Sequence, residues 1–273
     1  MVQLSDKAAT ARQHYDRCLL CEHRCGVSRV EEASGKCHAS AVARVFRHRI
    51  ECAEERELIP SHLFYLSGCD LRCAFCIAEA QAFDASRGTV LSSVFLQQAV
   101  DWGRERGART LQWVGGEPTI HLPAILKAMA GVKRLPPVVW KSDFYGTPEA
   151  FDLLDGVVDT FVADLKFGND RCAARIAGVD RYMEVLTRNL RQVDDRANLI
   201  VRHLLLPGHF ECCFQPIVQW LARHLPRVKF SIRDGYLPRW RASHFPELTE
   251  RLERGAGALA EDLADQLGLN IVV

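Results

Sequence analysis

The chain has 273 residues, of which 48% are hydrophobic and 25% charged, and its formal net charge is +1 at pH 7. This composition is typical of one large globular domain with a small appendage, and the balanced charge argues against a generally basic nucleic-acid binder or an acidic tail. No apolar run approaches the roughly 18 residues that a membrane helix needs, and the first residues lack the apolar core of a signal peptide. We therefore expect a cytoplasmic protein that binds neither nucleic acid nor membranes.

Eleven cysteines are many for such a chain, and their number is odd. In the absence of an export signal their thiols are expected to stay reduced, so clustered cysteines are better interpreted as metal ligands than as disulfides. Two clusters stand out in the first third of the chain, and they differ in spacing.

Residues 1–61 are predicted to form a small Cys-rich, metal-binding extension, with Pro60 close to its boundary. The extension contains the pattern C-x2-C-x3-C-x11-C, formed by Cys18, Cys21, Cys25 and Cys37. Four thiolates satisfy a closed tetrahedral zinc site, which would stabilise a segment too short to fold alone. The same four thiolates also suit an electron-relaying 4Fe–4S cluster. Zinc and a cluster both remain open, and in either case the site is structural or electron-transferring rather than catalytic.

From residue 62 to residue 273, short apolar runs alternate with helical patterns, which indicates parallel βα units. The predicted strands are 62–69, 110–116, 137–142, 159–167, 199–207 and 227–235, and the predicted helices are 92–107, 121–131, 147–155, 180–194, 211–225 and 246–267. Six such units predict an α/β fold with a full or partial (βα)6 barrel. A doubly wound open sheet is the competing topology. The preceding run RVFRHRI, residues 44–50, is typical of a strand with one solvent-exposed face.

Polar or glycine-rich residues follow five of the predicted strands. In chain order these segments read SGC, GGEP, KSD, DLK and PGH. Because functional side chains of βα barrels lie at the carboxyl ends of the strands, the pattern predicts one shared active-site rim.

Cys69, Cys73 and Cys76 follow the first predicted strand with the spacing C-x3-C-x2-C. A structural zinc site uses four ligands, and this loop supplies three. Three thiolates suit three irons of a 4Fe–4S cluster and leave the fourth iron open to an outside ligand. The alternative is a zinc site that takes a remote fourth ligand, such as Cys52 or Cys172.

The spacing of this loop, with Phe75 before the last cysteine, resembles the radical S-adenosylmethionine (SAM) superfamily. The resemblance implies that SAM chelates the open iron and that one electron cleaves it to methionine and a 5′-deoxyadenosyl radical. It also implies a reductant such as flavodoxin or ferredoxin. The GGEP segment, comprising Gly115, Gly116, Glu117 and Pro118, is similar to the superfamily's motif for the methionine moiety. Its glycines permit close approach of a ligand, and Glu117 offers a carboxylate to an ammonium group.

Four further residues are implicated in SAM binding by similarity to glycyl-radical-enzyme activases. Asp164 and Lys166 form a D-x-K pair, whose side chains lie on one face of a strand because positions i and i+2 point the same way. A buried salt bridge is the structural alternative for this pair. The resemblance places Ser142, at the end of the third strand, and Arg202, on the fifth, near the same ligand.

A longer match points to the radical enzymes described as pyruvate formate-lyase activating enzyme-like. It extends over residues 18–240 and includes the blocks WVGGEPTIHLPAIL and LLDGVVDTFVADLKFGND. Such relatives commonly continue the cysteine loop with Gln-Asn, whereas this chain has Ile77 and Ala78, which puts identity of substrate in doubt. The expected activity is hydrogen abstraction from a protein or peptide. Modification of a small molecule or peptide natural product is the alternative, and a non-catalytic zinc scaffold is the third hypothesis.

The remaining cysteines and histidines give weaker signals. Cys212 and Cys213 at a predicted helix start are expected to pack as small apolar residues, with a reactive thiol of lowered pKa as the alternative. His121, His203 and His209 lie near strand ends, where structural histidines are common.

Overall fold

The computed structural model describes residues 4–30, 35–53 and 55–272. A few residues of the predicted extension, and the final Val273, therefore lie outside the described residues. Within the described chain nine strands form one sheet. They are β1 (Arg44–Glu51), β2 (Ser61–Leu66), β3 (Thr89–Val90), β4 (Thr110–Val114), β5 (Val138–Ser142), β6 (Thr160–Asp164), β7 (Asn198–Leu204), β8 (Lys229–Arg233) and β9 (Asn270–Ile271).

The order of the strands across the sheet is β3-β1-β2-β4-β5-β6-β7-β8-β9. Strands β2 and β4 to β9 are parallel, while β1 is antiparallel to β2 and β3. Parallel strands that follow one another in sequence are also neighbours in space, as in a barrel, whereas a doubly wound sheet reverses its strand order. In the described part of the chain β3 and β9 are the two edges, so the barrel is partial. The prediction of a (βα)6 barrel is confirmed.

Ten α-helices accompany the strands in the described ranges. They are α1 (Leu4–Ala11), α2 (Gln13–Asp16), α3 (Glu79–Ala82), α4 (Ser93–Glu105), α5 (Leu122–Ala130), α6 (Pro148–Leu154), α7 (Asp170–Ala177), α8 (Tyr182–Asp194), α9 (Gln215–His224) and α10 (Ala256–Gln266). The predicted helix 211–225 begins as a π-helical turn, Phe210–Phe214, and the predicted helix 246–267 is helical mainly at its end. No helix among the described residues combines the length and the apolar character that a membrane crossing requires.

Right-handed crossovers place the barrel helices on the outer face of the parallel strands. Trp113 and Trp140 are paired in register on β4 and β5, and both are fully buried in the large core between strands and helices. Alternate positions on the strands face the other way. Val139, Val162 and Ile200 form a separate small cluster with Leu58, which lies in the segment just before β2.

The segment before β2 is therefore integrated with the barrel. Strand β1 is hydrogen-bonded to β2 along its length, and α1 packs against α5. Alternate residues of β1 are more exposed, as expected for a strand with one solvent face. The division of the chain at residue 61 and the cytoplasmic location stay predictions.

Candidate functional site

The loop that carries the three closely spaced cysteines, residues 69–76, follows β2 directly and is named here the three-cysteine loop. Its backbone is fixed to the last turn of α7, because the N–H groups of Arg72 and Ala74 donate to Ala177 O (3.0 Å) and Ile176 O (2.9 Å). The loop is thus positioned by two neighbours in the barrel wall. Backbone hydrogen bonds to another element therefore hold the loop in place after the end of β2.

Burial raises the pKa of all three thiols in the three-cysteine loop. The pKa of Cys73 rises to about 12, although the positive charge of Lys166 opposes the shift. The pKa values of Cys69 and Cys76 are also raised by burial, and the backbone N–H of Ala78 bonds to the Cys76 sulfur. Without a metal these thiols are protonated at neutral pH, so metal binding must release protons.

The number of thiols in this loop bears on the kind of metal group it could hold. A closed tetrahedral zinc site uses four ligands, and the three-cysteine loop supplies three. A donor set of three buried thiols, with no fourth cysteine in the loop, suits a cluster with one open iron.

The GGEP segment after β4 packs on the backbone that leads into the three-cysteine loop. The N–H of Glu117 donates to Gly68 O over 2.9 Å. Gly116 has φ +52°, and a Cβ at this position would lie 2.0 Å from Gly68 O and 2.7 Å from Leu66 O. Only glycine fits here, because the opposing atoms are backbone. The glycine requirement therefore comes from contact with the cysteine-bearing strand end.

The Glu117 carboxyl, which is 1% exposed, connects the loops after β4 and β5. Its Oε1 accepts from the Thr119 N–H (2.9 Å) and the Ser142 hydroxyl (2.8 Å), and its Oε2 accepts from the Asp143 N–H (2.9 Å). Burial and the neighbouring Asp143 raise the pKa of Glu117 to about 8. An ammonium group that binds to Glu117, as the sequence predicts, would therefore have to share the carboxyl oxygens with three hydrogen-bond donors of the protein. Pro118 precedes the short 3₁₀ turn that follows.

Two buried acids, Asp70 and Asp143, lie beside Cys69. One ligand atom of each of these three residues lies within 4.8 Å of the others. Burial and the charge of Glu117 raise the pKa of Asp70 to about 7, and burial together with Asp70 raises that of Asp143. Asp143 Oδ2 accepts no hydrogen bond from the described residues. Sequence reasoning left Asp70 out of the candidate set, although it directly follows the first cysteine.

Asp164, Lys166 and Arg202 are brought together at the ends of β6 and β7, as the D-x-K pattern predicts. Asp164 and Arg202 are paired in register, and Lys166 Nζ lies 3.1 Å from Asp164 Oδ2. Burial alone would raise the pKa of Asp164, but the charges of Lys166, Arg202 and Lys141 hold it at about 2. The carboxylate is therefore ionised inside the barrel, which agrees with both a salt bridge and a ligand-binding role.

Glu55 is a further buried acid, and no pattern in the sequence indicates it. Its Oε1 lies 2.7 Å from Arg233 Nη2 and 3.8 Å from Arg202 Nε. Burial raises its pKa, but the charges of Arg202, Lys141 and Arg233 outweigh burial and hold the pKa at about 2. Glu55 thus balances the positive charge inside the barrel from a segment that precedes β2.

Phe75 belongs to the three-cysteine loop and packs against residues that follow two of the strands. Its ring makes edge contacts with Phe167 and Tyr236, each with centroids 6.2 Å apart. The side chain is buried, so Phe75 fixes the loop by packing.

The four N-terminal cysteines, Cys18, Cys21, Cys25 and Cys37, line one small pocket together with Arg29 and Ile120. Backbone N–H groups bond to three of these sulfurs, from His23 to Cys21, from Lys36 to Cys25 and from Ala39 to Cys37. The pocket adjoins the three-cysteine loop, because Cys21 and Asp70 perturb each other's pKa and His23 Nε2 lies 3.0 Å from Asp70 O. Asp70, which directly follows Cys69, therefore lies beside the N-terminal cysteine pocket as well.

Cys212 and Cys213 lie in the π-helical turn after β7, and the structure places Cys172 of α7 beside them. Burial raises the pKa of Cys212 and of Cys213, so the alternative of a reactive thiol with lowered pKa is not supported. His121 and His203 donate to the carbonyls of Ser67 and Leu165, each over 2.6 Å, and are structural as expected.

These features define a βα-barrel enzyme with a thiolate metal loop at the carboxyl-end rim. Residues 63–221 match the family model of the radical SAM superfamily. The chain therefore belongs to the radical SAM superfamily, whose members are enzymes that use a 4Fe–4S cluster and SAM.

One similar curated protein is an uncharacterized protein of Methanocaldococcus jannaschii, MJ0674, which is 32% identical over 97% of this chain and 79% of its own length. Among solved structures, Streptococcus suis SuiB bound to its precursor peptide SuiA has a TM-score of 0.53 and 14% identity over 74% of this chain. The match covers 46% of the SuiB chain, so this chain matches less than half of that protein. A domain of pyruvate-formate lyase-activating enzyme from Bacteroides vulgatus has a TM-score of 0.45 and 17% identity, over 59% of this chain and 96% of that domain.

Proposed function

We propose that this radical SAM enzyme abstracts hydrogen from a protein or peptide, in the manner of a glycyl-radical-enzyme activase. The observation that carries this proposal is that Lys166, paired with the ionised Asp164 beside Arg202, lies close enough to Cys73 of the three-cysteine loop for its charge to act on that thiol. The rim of the barrel would hold a cluster beside a charged pocket for the amino-acid part of SAM. When bound, the reduced cluster supplies the electron that cleaves SAM to methionine and a 5′-deoxyadenosyl radical.

The cluster ligands in this proposal are Cys69, Cys73 and Cys76. The residues proposed to bind or support SAM are Phe75, Gly115, Gly116, Glu117, Pro118, Ser142, Asp164, Lys166 and Arg202. Among them, Lys166 and Arg202 offer cations to a carboxylate and Asp164 offers an anion to an ammonium, while Phe75, Gly116 and Glu117 position the loops by packing and hydrogen bonds.

A macromolecular substrate is supported by an open cleft at the same end of the barrel. The cleft, of about 590 Å³, lies between the loop after β7 and residues 246–256. Leu206, Phe214 and Leu259 contribute apolar lining, and Glu250 and Arg254 contribute charge. Such a mixture suits an extended peptide, whose backbone and side chains need both kinds of contact. A small-molecule substrate is the alternative that the experiments below distinguish.

The N-terminal cysteines are proposed to bind a second 4Fe–4S cluster that passes electrons from a flavodoxin or ferredoxin to the first. The contact between Cys21 and Asp70 supports a relay, because Asp70 directly follows Cys69. Zinc at this position would instead give a purely structural site.

Anaerobic reconstitution with iron and sulfide tests the enzymatic part. Reduction in the presence of SAM is expected to give 5′-deoxyadenosine, and Cys73→Ala is expected to abolish it together with the first cluster. Cys52→Ala is the matched control, since Cys52 is exposed and lies outside both sets. Normal cleavage by Cys73→Ala would refute the site assignment. Iron near eight atoms per chain, against about four in a Cys18→Ala variant, would support the second cluster.

Deuterium tracing tests the substrate class. Deuterium that passes from a labelled peptide or protein into 5′-deoxyadenosine supports the proposal. Transfer only from a labelled small metabolite would contradict it and favour the alternative.

A further inference from the structure

A third group of potential metal ligands lies outside both cysteine sets. It consists of Cys172 at the start of α7, and of His209 and Cys212 on the segment after β7. One ligand atom of each residue lies within 4.8 Å of the other two. The Sγ atoms of Cys172 and Cys212 are 3.9 Å apart, which is close to the ~3.8 Å expected for two thiolates on one zinc ion.

The ring of His209 is anchored by one of its nitrogens, which leaves the other nitrogen for a metal. Nδ1 lies 2.8 Å from Pro207 O, and because a carbonyl only accepts, Nδ1 must carry the proton. Nε2 is then left as the lone-pair nitrogen. Metal-binding histidines commonly donate their other ring N–H to a backbone carbonyl in this way. His209 is 3% exposed, so the ring has little freedom to turn.

Asn169 supports the two sulfur ligands. Its Oδ1 accepts from the Cys172 N–H (2.8 Å) and so caps α7, while its Nδ2 donates to Cys212 O (2.6 Å) and lies 3.3 Å from Cys172 Sγ. Asn169 thus fixes the Cys172 sulfur relative to the backbone of Cys212, so the two sulfur ligands are held by one side chain.

We infer that Cys172, His209 and Cys212 form a zinc site with two sulfur ligands, one nitrogen ligand and one position for an outside ligand. Two thiolates and a neutral imidazole form a borderline-soft set that suits Zn²⁺ rather than Mg²⁺ or Ca²⁺. Binding releases the two thiol protons to solvent. The neighbouring Cys213 is not part of the group, although its Sγ is 3.9 Å from that of Cys212.

The location of this site gives it a consequence for the proposed peptide cleft. His209 and Phe210 line the 590 Å³ cleft, whereas Cys172 belongs to α7, whose last turn holds the three-cysteine loop. Zinc would tie the cleft wall to the helix that positions the first metal loop. The inferred zinc site does not depend on the identity of the substrate. It would be present whether the enzyme acts on a peptide or on a small molecule.

Zinc K-edge absorption spectroscopy on the cluster-loaded protein tests the site, because it detects zinc selectively in the presence of iron. One tightly bound zinc per chain is expected, with two sulfurs at about 2.3 Å and a nitrogen at about 2.0 Å. Cys212→Ser and His209→Gln should each lose this zinc and keep the iron of both clusters. Cys213→Ser is the matched control and should keep zinc.

Several results would overturn the inference. One is zinc surrounded by four sulfurs and retained in Cys212→Ser, because that zinc would belong to the N-terminal cysteines. Another is a wild-type protein that takes up no zinc at micromolar free metal. A third is a Cys172–Cys212 disulfide, found by mass spectrometry of protein purified without oxygen, since this would make the pair a redox couple. If a variant fails to fold, the wild-type spectrum alone decides between these outcomes.

Discussion

The contact between the GGEP segment and Gly68 can be tested by adding a single methyl group. In Gly116→Ala the new Cβ would lie 2.0 Å from Gly68 O, whereas real Cβ contacts are longer than 3.0 Å, so the two backbones must separate by about 1 Å or more. Separation stretches the hydrogen bond from the Glu117 N–H to Gly68 O, now 2.9 Å long. The carbonyl that moves lies one residue before Cys69.

The magnitude follows from two contributions. An alanine at positive φ costs about 1–2 kcal/mol, and loss of a buried backbone hydrogen bond costs about 1–3 kcal/mol more. Gly156→Ala is the matched control, because Gly156 has φ +68° and nothing lies within 4 Å of its Cβ position. The control isolates the conformational cost. Gly116→Ala should therefore be less stable than Gly156→Ala by about 2 kcal/mol, or about 4–8 °C in Tm.

Thermal unfolding of the two variants, with iron analysis after anaerobic reconstitution, measures both effects. We expect Gly116→Ala to bind less iron at the first site and to cleave SAM more slowly, while Gly156→Ala keeps wild-type iron. Equal Tm values and equal iron contents for the two variants would show that the GGEP segment does not support the three-cysteine loop.

Three further predictions concern buried charges and a histidine. Glu55→Gln leaves Arg233 without its anion and should lower the free energy of unfolding in urea by about 3–5 kcal/mol. The control Glu57→Gln, whose ion pair is exposed, should lower it by less than about 1 kcal/mol. Equal losses in the two variants would show that Glu55 does not stabilise the fold as a buried counter-ion. Asp164→Asn should keep the iron but weaken SAM binding at least about tenfold in equilibrium dialysis. An unchanged affinity for SAM would show that the D-x-K pair serves only as a structural salt bridge. Burial lowers the pKa of His203 to about 4, so stability should fall as the pH drops from about 6.5 to 4, because only the unfolded chain takes up the proton. His203→Asn should reduce this pH dependence of the urea midpoint, and an unchanged slope would contradict the reasoning.

The barrel could be predicted from sequence because short, mainly apolar runs alternate regularly with longer segments of helical period, which is typical of βα units. The predicted strand 110–116 is observed as β4 (Thr110–Val114), and 137–142 as β5 (Val138–Ser142). The predicted carboxyl end of a strand lies beyond the observed end where apolar residues continue into the following loop. Leu165 is an example, since its N–H bonds to the carbonyl of Arg202 on the neighbouring strand after β6 has ended.

Side chains whose partners are distant in sequence could not be found in the same way. Glu55 lies in a segment without regular pattern, and its partner Arg233 is 178 residues away. Cys172 gave no signal by itself, because Cys212, 40 positions later, supplies the neighbouring sulfur. Spacing motifs detect ligands that share one loop, as in the three-cysteine loop. Such motifs cannot detect ligands from separate segments, which come together only when neighbouring strands of the barrel pair.

The three thiol groups of this chain differ in the kind of segment that carries them, and this difference indicates what each can do. The three-cysteine loop is one short segment held by the GGEP segment and by α7. A cluster bound to this loop would therefore keep a fixed position while outside ligands exchange. The N-terminal cysteines line a pocket that adjoins Asp70, which places any redox change there next to the first site. Cys172 and Cys212 join two barrel loops. A metal at that position acts on the shape of the cleft, because it fixes the distance between α7 and the segment after β7.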